Sequence, residues 1–317
     1  MTDSDIAVIT GPPADHQEDP TVVTLGVFDG VHRGHRYLIT RARAAADRAD
    51  LPLTVVTFDP HPLSVVRPEL APLRLATLRH RIRLLAGAGV DKVRLLTFDR
   101  QLSALEAPDF AARYLVRELQ AAVVVAGENF RFGHRAAGDL DLLAAIGTTA
   151  GFDVVSVPLD ADESETWSST RIRALVTAGD VAGAALGLAR EHRVEGPVVV
   201  GDKRGRTLGY PTANLEVEPG TCVPLDGVYA GFAVVDPYTP DERRVPAAVS
   251  VGANTTFGGT EPRVEAHLME PGEWDLYGRE LAVDFVARLR GMHTFSSQAE
   301  LVSAMAADVA AARRLLA

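Results

Sequence analysis

The sequence predicts two domains, a parallel α/β sheet followed by an antiparallel β-barrel that ends in a helix. The chain has 317 residues, and at roughly 100–200 residues per domain this length favours two domains over one. From residue 21, short β-branched runs alternate with longer amphipathic ones, as in parallel strands joined by helices. After about residue 179, Gly/Pro-punctuated strands follow one another without helices, which is typical of a small barrel.

Five buried strands and four helices are predicted in the first half. The strands are 21–28, 53–58, 92–98, 122–127 and 153–157. The helices lie near 35–49, 77–87, 107–119 and 139–147, where apolar residues recur at spacings of three and four. This alternation predicts a Rossmann-like parallel sheet, whose ligands bind beyond the carboxyl ends of the strands.

The second half is predicted to be mostly strand. A short helical segment at 180–189 precedes strands at 194–200, 208–217, 227–235, 244–251, 263–269 and 280–289. A final helix is expected from about Ser297, a residue that favours helix N-caps. We therefore divide the chain into a loose tail (1–20), a first domain (21–178), a linker (179–193) and a second domain (194–317).

The composition excludes several classes of protein. The chain carries 42 acidic and 32 basic residues, and neither half has the basic excess typical of nucleic-acid binding. The single cysteine rules out an internal disulfide and a multi-thiolate zinc site. Neither a signal peptide nor a run of roughly 18–20 apolar residues is visible. We expect a cytoplasmic protein without nucleic-acid or membrane partners, and its oligomeric state is left open.

The most informative run directly follows the first strand and opens the first helix. It reads Gly26-Val27-Phe28-Asp29-Gly30-Val31-His32-Arg33-Gly34-His35. Glycines let the backbone approach a ligand, and the free N–H groups of a helix start attract phosphate. His32 and His35 would donate hydrogen bonds to a triphosphate and stabilise charge on its α-phosphate. Taken alone, such a pair is more often two ordinary surface histidines.

Three further motifs follow in order, each on a loop after a predicted strand. They are Phe58-Asp59-Pro60-His61-Pro62, Gly127-Glu128-Asn129-Phe130-Arg131-Phe132-Gly133 and Ser168-Ser169-Thr170-Arg171-Ile172-Arg173. Together with His32-Arg33-Gly34-His35 they resemble the H-x-G-H nucleotidyltransferases. Among these, they resemble the prokaryotic bifunctional riboflavin kinase/FMN adenylyltransferases, also called FAD synthetases.

The resemblance implies roles for residues of the first half. Adenylyl transfer would be catalysed by His32, His35 and Arg173. ATP would be bound by Gly26, Phe28, Asp29, Gly34, Ser169 and Thr170. The flavin of FMN would be bound by Pro60, Pro62, Asn129 and Phe132. On the residues alone, Ser or Thr at a helix N-cap followed by Arg makes an anion site, although Ser169 and Thr170 would serve equally well as simple caps.

A second run, 201–214, combines three glycines and three cations with a proline ahead of Thr212 and Asn214. Such a loop can wrap phosphates, although many Gly/Arg loops are plain hairpin turns. Two neutral oxygen ligands one residue apart on a strand point to the same side. That arrangement suits a Mg²⁺ ion that keeps waters and contacts substrate phosphates.

Pro211-Thr212-Ala213-Asn214 resembles the signature of riboflavin kinases, and the later motifs follow in that family's order. These are Gly227-Val228-Tyr229-Ala230, Val249-Ser250-Val251-Gly252-Ala253-Asn254, Val264-Glu265-Ala266-His267-Leu268 and Asp275-Leu276-Tyr277-Gly278. The resemblance implies that Thr212 and Asn214 hold the metal of Mg-ATP, that Glu265 is the general base, and that Arg290 and the last helix cover the flavin. ATP in this half would be bound by Gly201, Lys203, Gly205, Arg206 and Gly209. Thr255 departs from the family, which usually has proline there, and would alter flavin affinity.

We therefore predict an enzyme that uses two small-molecule substrates in turn. Riboflavin and ATP would give FMN and ADP in the second domain; FMN and ATP would then give FAD and pyrophosphate in the first, with Mg²⁺ in both. Positioning and charge stabilisation suffice for each transfer without a covalent enzyme intermediate. The alternatives are a protein with only one of these activities and a non-catalytic flavin or nucleotide sensor.

Overall fold

A computed structural model describes residues 6–11, 19–158, 167–201, 208–253, 262–272 and 274–317. Its contacts divide the chain into two compact units. The first comprises Met1–Pro72 and Leu78–Trp167, and the second comprises Leu73–Thr77 and Ser168–Ala317. Among the described residues, no helix combines the length and apolar character needed to cross a membrane.

The first unit is built on a six-stranded, fully parallel sheet. Its strands are β1 (Ala7–Ile9), β2 (Thr21–Leu25), β3 (Leu53–Asp59), β4 (Lys92–Thr97), β5 (Ala121–Gly127) and β6 (Asp153–Val157), in the spatial order β1-β4-β3-β2-β5-β6. All five residues of β2 are buried. Val22 and Val23 belong to different core clusters, because successive side chains of a strand point to opposite faces. The sheet is therefore covered on both faces, as its continuous apolar strands predict.

Helices connect these strands. They are α1 (Arg33–Ala49), α2 (Pro62–Val66), α3 (Leu78–Gly87), α4 (Arg100–Ser103), α5 (Ala107–Phe110) and α6 (Leu140–Ala150), with α5 continued by a π-helical stretch, Ala111–Glu118. On one side of β2 the sheet continues through β3, β4 and β1, and on the other side through β5 and β6, so the strand order reverses at β2. In open parallel sheets this switch point is where ligands bind, at the carboxyl ends of the strands.

The N-terminal segment differs from its prediction as a loose tail over residues 1–20. Ala7–Ile9 pairs in parallel with β4 at the sheet edge. A buried arginine of β4, Arg94, donates to the Ile9 carbonyl at 3.2 Å and to the Gly11 carbonyl at 2.8 Å. Its Nε also bonds buried Glu118 at 2.6 Å. These bonds hold β1 at the edge of the sheet. The sequence did not reveal this strand because its apolar run is short and lies among acidic residues.

The second unit is a closed, antiparallel, six-stranded barrel. Its strands are β7 (His192–Val199), β8 (Ala213–Leu215), β9 (Gly227–Val235), β10 (Arg243–Ala253), β11 (Pro262–Leu268) and β12 (Glu280–Arg290), in the order β10-β11-β8-β7-β12-β9. Its helices are α7 (Ser169–Thr177), α8 (Val181–Leu188) and α9 (Gln298–Leu316). A parallel sheet followed by an antiparallel barrel with a terminal helix confirms the predicted fold class.

Two segments of the second unit differ from the sequence prediction. The strand expected at 208–217 is only Ala213–Leu215, because Gly209 turns the chain at φ +86° and Pro211 has no N–H to donate. The segment expected as a linker, 179–193, contains α8 and the start of β7. Val181 of α8 belongs to the barrel's own core cluster, so this helix packs on the barrel.

Helix α9 begins where its capping signal predicts. The Ser297 side chain accepts a hydrogen bond from the Glu300 N–H at 3.2 Å, and Glu300 Oε2 accepts from the Ser296 N–H at 2.8 Å. The helix packs on the outside of the barrel through small side chains. A buried cluster joins Ala312 of α9 to Ala230, Ala248 and Met269.

Candidate active sites

The loop after β2 is tightly folded and strained. Phe28 and Val31 have φ angles of +52° and +39°, a region unfavourable for residues with a side chain and especially for a β-branched one. Both side chains are fully buried in the core cluster beside α1. Burial holds the strained backbone in place, as is common where a protein pre-organises a ligand site. Gly26, Asp29 and the start of α1 are positioned by this turn.

His32 and His35 lie together at the start of α1. His32 is the N-cap residue, and its Nδ1 accepts a hydrogen bond from the His35 N–H at 3.4 Å. An accepting Nδ1 carries no proton, so the proton of a neutral His32 ring is on Nε2, where it can be donated. The two rings are stacked with centroids 3.7 Å apart, and Phe28 lies 5.1 Å from His35. The structure thus brings the predicted histidine pair together.

Gly34 is required by close packing within the first unit. A Cβ on Gly34 would lie 3.1 Å from the Trp167 carbonyl oxygen and 3.3 Å from His32 Cε1. Both distances are tighter than ordinary van der Waals contact. Trp167 is the residue immediately before the Ser168-Ser169-Thr170 motif. A side chain at position 34 would therefore push on the Trp167 backbone or on the His32 ring.

The proposed flavin residues of the first half lie on the loops after β3 and β5. Pro62 is the first residue of α2, whose N-cap is His61, and Pro60 directly follows β3. Asn129 is exposed after β5. Phe132 is only 8% exposed, and its ring stacks on Phe130 with centroids 5.5 Å apart.

The Ser-Ser-Thr motif opens α7 in the second unit, whereas both histidines lie in the first. The cap of α7 is Ser168, whose hydroxyl accepts from the Arg171 N–H at 3.2 Å. Ser169 and Thr170 are therefore the first helical residues, and simple capping does not explain them. Arg173 donates from Nε to the Leu73 carbonyl at 2.6 Å.

Three polar residues lie side by side on neighbouring barrel strands. Asn214 of β8 pairs with Glu265 of β11, which also pairs with Ser250 of β10. Paired residues of an antiparallel sheet point to the same side. The barrel core is filled by their neighbours in sequence, Ala213, Leu215, Val249, Val251, Val264 and Ala266. Asn214, Glu265 and Ser250 therefore project outward from the barrel wall.

Glu265 is held among polar groups on this outer face. The Thr212 hydroxyl donates to Glu265 Oε2 at 3.2 Å, and an Arg263 guanidinium nitrogen lies 3.6 Å from Oε1. The His267 ring nitrogen Nδ1 is 2.8 Å from the Pro211 carbonyl and must donate to it, since a carbonyl only accepts. His267 thus fixes the backbone next to Thr212.

The donor set at Asn214 fits a hard cation. Asn214 is 7% exposed, and its buried Oδ1 has no hydrogen-bond partner among the described residues. A Cβ on Gly201 would lie 2.5 Å from the Asn214 amide, so a larger residue at position 201 would displace this side chain. A buried orphan carbonyl oxygen beside a threonine hydroxyl is suited to Mg²⁺, which takes oxygen ligands and keeps several waters.

Other predicted kinase residues have different surroundings. Arg290 ends β12 and forms a bidentate ion pair with Asp308 of α9, at 2.9 Å from Nε and 2.7 Å from Nη2. Gly209 forms the turn before β8. Lys203, Gly205, Arg206 and Thr255 lie outside the described residues.

The sequence analysis missed several residues that support these sites. Ser250 and His267 stood inside quoted motifs without a role, and only strand register places them beside Asn214, Glu265 and Pro211. Arg81 belongs to none of the quoted motifs, yet it is buried against the loops after β2 and β3. Helical periodicity would have found it, since Arg81 lies four residues before the fully buried Leu85.

Two family models match the chain, FAD synthetase over residues 14–171 and riboflavin kinase over residues 188–316. The bifunctional riboflavin kinase/FMN adenylyltransferase of Escherichia coli K12 is 36% identical over 93% of this chain and 93% of its own. The chain belongs to this family. The Pseudomonas fluorescens member is 38% identical, also over 93% of both chains. The chain is thus an enzyme of FMN and FAD synthesis with riboflavin kinase and FMN adenylyltransferase activities, and the predicted family and function are confirmed.

A solved structure shares the whole fold. A Streptococcus pneumoniae protein described as a macrolide-efflux protein superimposes with a TM-score of 0.86 and is 34% identical. The match covers 97% of this chain and 99% of the other. The family's arrangement of a parallel sheet and a barrel in one polypeptide therefore has a close structural counterpart.

Replacing Gly34 by alanine tests the packing at the histidine pair. Gly→Ala within a helix usually stabilises it by about 1 kcal/mol, but here the methyl group would displace Trp167 or His32. We expect FAD formation from FMN and ATP to fall by about 100-fold, as a shift of about 1 Å in a reacting group can cost, while FMN formation from riboflavin is unchanged.

The matched control is Gly87→Ala at the end of α3, where the added Cβ would meet nothing within 4 Å apart from its neighbours in the same helix. It should leave both activities unchanged. Steady-state assays of each flavin product on each variant make the comparison. Wild-type FAD formation by Gly34→Ala would contradict the packing argument.

Proposed function

We propose that the two activities occupy separate sites, with adenylyl transfer in residues 21–178 and riboflavin phosphorylation in the barrel, residues 194–317. The observation that carries the kinase assignment is the contact between Thr212 and Glu265, 3.2 Å apart, next to the orphaned Asn214 Oδ1. It places a carboxylate that can act as a base beside the oxygen atoms that would ligate a phosphate-bound metal ion. Catalysis of phosphoryl transfer depends mainly on such positioning and on neutralisation of the phosphate charge.

Glu265 would act as the general base of the kinase reaction. It accepts the proton of the riboflavin 5′-hydroxyl as that oxygen bonds to the γ-phosphorus of ATP and ADP leaves. The half-buried carboxylate lies on the outer face of the barrel, where a substrate hydroxyl would reach it. His267 holds Pro211, so Thr212 stays beside Glu265 while the substrates bind.

Thr212 and Asn214 would hold Mg²⁺. Bound there, the ion would neutralise charge on the transferring phosphate. The Thr212 hydroxyl can offer a lone pair to the ion while its proton is donated to Glu265. Gly201 and Gly209 lie on either side of the phosphate loop, and the resemblance assigns Lys203, Gly205 and Arg206 to the same nucleotide.

His32 and His35 would bind the phosphates of ATP in the adenylyltransferase. An FMN phosphate oxygen attacks the α-phosphorus, and pyrophosphate leaves. His32 Nε2–H and the free N–H groups of α1 donate to the charge that develops there. Gly26, Phe28, Asp29 and Gly34 shape this surface, and the resemblance adds Ser169, Thr170 and Arg173 as phosphate ligands.

The flavin contacts follow from the same assignment. Pro60, Pro62 and Asn129 would border the ring system of FMN, and Phe132 would support them from beneath Phe130. In the kinase, the pairing of Arg290 with Asp308 supports a role in fixing α9 beside the riboflavin site. We also place the enzyme in the cytoplasm, where ATP is available and a lone cysteine remains reduced.

His32→Asn separates catalysis by the imidazole from its capping role. Asparagine is among the best N-cap residues, so the start of α1 should persist. Loss of the donor to the α-phosphate should lower FAD formation from FMN and ATP by about 10²–10³-fold. FMN formation by the same protein should remain at the wild-type rate, and its loss would argue against separate sites.

Glu265→Gln makes the reciprocal test. Glutamine keeps the shape of the side chain but cannot accept the proton, so FMN formation should fall by about 10²–10⁴-fold. FAD formation from supplied FMN should persist. Glu280→Gln, at an exposed glutamate of β12, is the control and should leave both rates unchanged. Wild-type FMN formation by Glu265→Gln would remove Glu265 as the base.

Asn214→Leu tests the metal assignment with a side chain of nearly the same shape. The Mg²⁺ concentration that gives half-maximal FMN formation should rise at least about tenfold, the effect of disturbing even an outer partner of a metal. FAD formation from FMN should keep its own Mg²⁺ dependence. A Mg²⁺ titration identical to the wild type would show that Asn214 is not a ligand.

A further inference from the structure

Arg81 is a buried cation in the first unit that the family motifs do not include. It lies on α3 and is 6% exposed. Burying a guanidinium is costly unless its N–H groups are satisfied, and an apolar residue is the usual occupant of a helix face that packs on a sheet. The position of Arg81 therefore has a purpose other than filling the core.

The hydrogen bonds of Arg81 reach two separate loops. Nη1 donates to the Val27 carbonyl at 3.2 Å, in the loop after β2. Nη2 donates to the Phe58 carbonyl at 3.0 Å and approaches Asp59 Oδ1 at 3.4 Å, at the end of β3. The fully buried Thr57 also donates its hydroxyl to Val27, at 2.9 Å.

These bonds begin where the strand pairing ends. The last paired residues of β2 and β3 are Leu25 and Val56, followed by one bond from the Gly26 N–H to the Val56 carbonyl at 3.1 Å. Beyond this point, side-chain donors from Arg81 and Thr57 connect the segments that follow β2 and end β3. The loops that they join carry the proposed ATP residues on one side and Pro60 and Pro62 on the other.

We propose that Arg81 is a positioning residue for adenylyl transfer, which fixes the nucleotide loop after β2 against the flavin loop after β3. The planar fork of a guanidinium can bond two carbonyl groups at once, which an ammonium cannot do in the same geometry. In-line attack requires the FMN oxygen and the α-phosphorus within about 3–3.5 Å. The spacing of the two loops sets that distance. This inference rests on the proposed assignment of the two loops.

Arg81→Met and Arg81→Lys test the proposal in the full-length enzyme. Methionine keeps the apolar stem without a donor, and lysine keeps a charge that can serve only one loop. For Arg81→Met, kcat/KM for FAD formation should fall by about 100-fold, and the KM values for ATP and for FMN should both rise. Arg81→Lys should lie between methionine and the wild type.

The kinase reaction reports the folding of the barrel, and thermal unfolding followed by circular dichroism reports the folding of the first unit, which contains Arg81. FMN formation should be unchanged in both variants and in Arg79→Met, an exposed arginine on the same helix that should also leave FAD formation unchanged. A purely structural role would lower FAD formation through the folded fraction alone, with both KM values unchanged, and would overturn the proposal. A rise in only one of the two KM values would also overturn it.

If Arg81→Met fails to fold, Arg81→Lys decides. Reduced FAD formation by the folded lysine variant, with both KM values raised, supports the proposal. Wild-type kinetics would show that the guanidinium fork is not needed. The result is independent of His32→Asn, which tests the active-site assignment itself. Normal kinetics in Arg81→Lys together with an inactive His32→Asn would reject the positioning role and keep the proposed function.

Discussion

Backbone pairing between neighbouring strands is the constraint on which both proposed sites depend. In the barrel, Asn214 and Glu265 are far apart in sequence and meet only because β8 and β11 pair at these positions. In the sheet, β2 and β3 end at the same edge and deliver the loops with His32 and Pro60 to one side. A shift of one residue in the pairing of β8 with β11 would turn Asn214 or Glu265 to the other face of the barrel wall.

Burial stabilises the unfavourable geometry at the edge of the sheet. The left-handed backbone at Phe28 and Val31 costs about 1–2 kcal/mol per residue. Each of these side chains is fully buried, and burial of one such group contributes about 1.5–3 kcal/mol. The core therefore offsets the strain and fixes the backbone that precedes α1. The stacked histidines lie at the end of this fixed segment.

Local signals in the sequence predicted most of the fold, and long-range contacts account for the differences. The Ser297 cap and the buried strands were visible because each depends on a few neighbouring residues. Two contacts join segments that no local sequence pattern links. They are the ion pair of Arg290 with Asp308 and the hydrogen bond from Arg94 to the Ile9 carbonyl. The cap of α7 is Ser168, one residue before the Ser169 and Thr170 that the sequence offered as caps.

The most direct test of the account is a product balance for the wild-type enzyme given riboflavin, ATP and Mg²⁺. Flavins are separated by chromatography over time, and ADP and pyrophosphate are measured in the same samples. Two sites that act in sequence predict that ADP equals the sum of FMN and FAD, and that pyrophosphate equals FAD alone. FAD formed without matching ADP, or pyrophosphate released in step with FMN, would contradict phosphoryl transfer to riboflavin followed by adenylyl transfer to FMN.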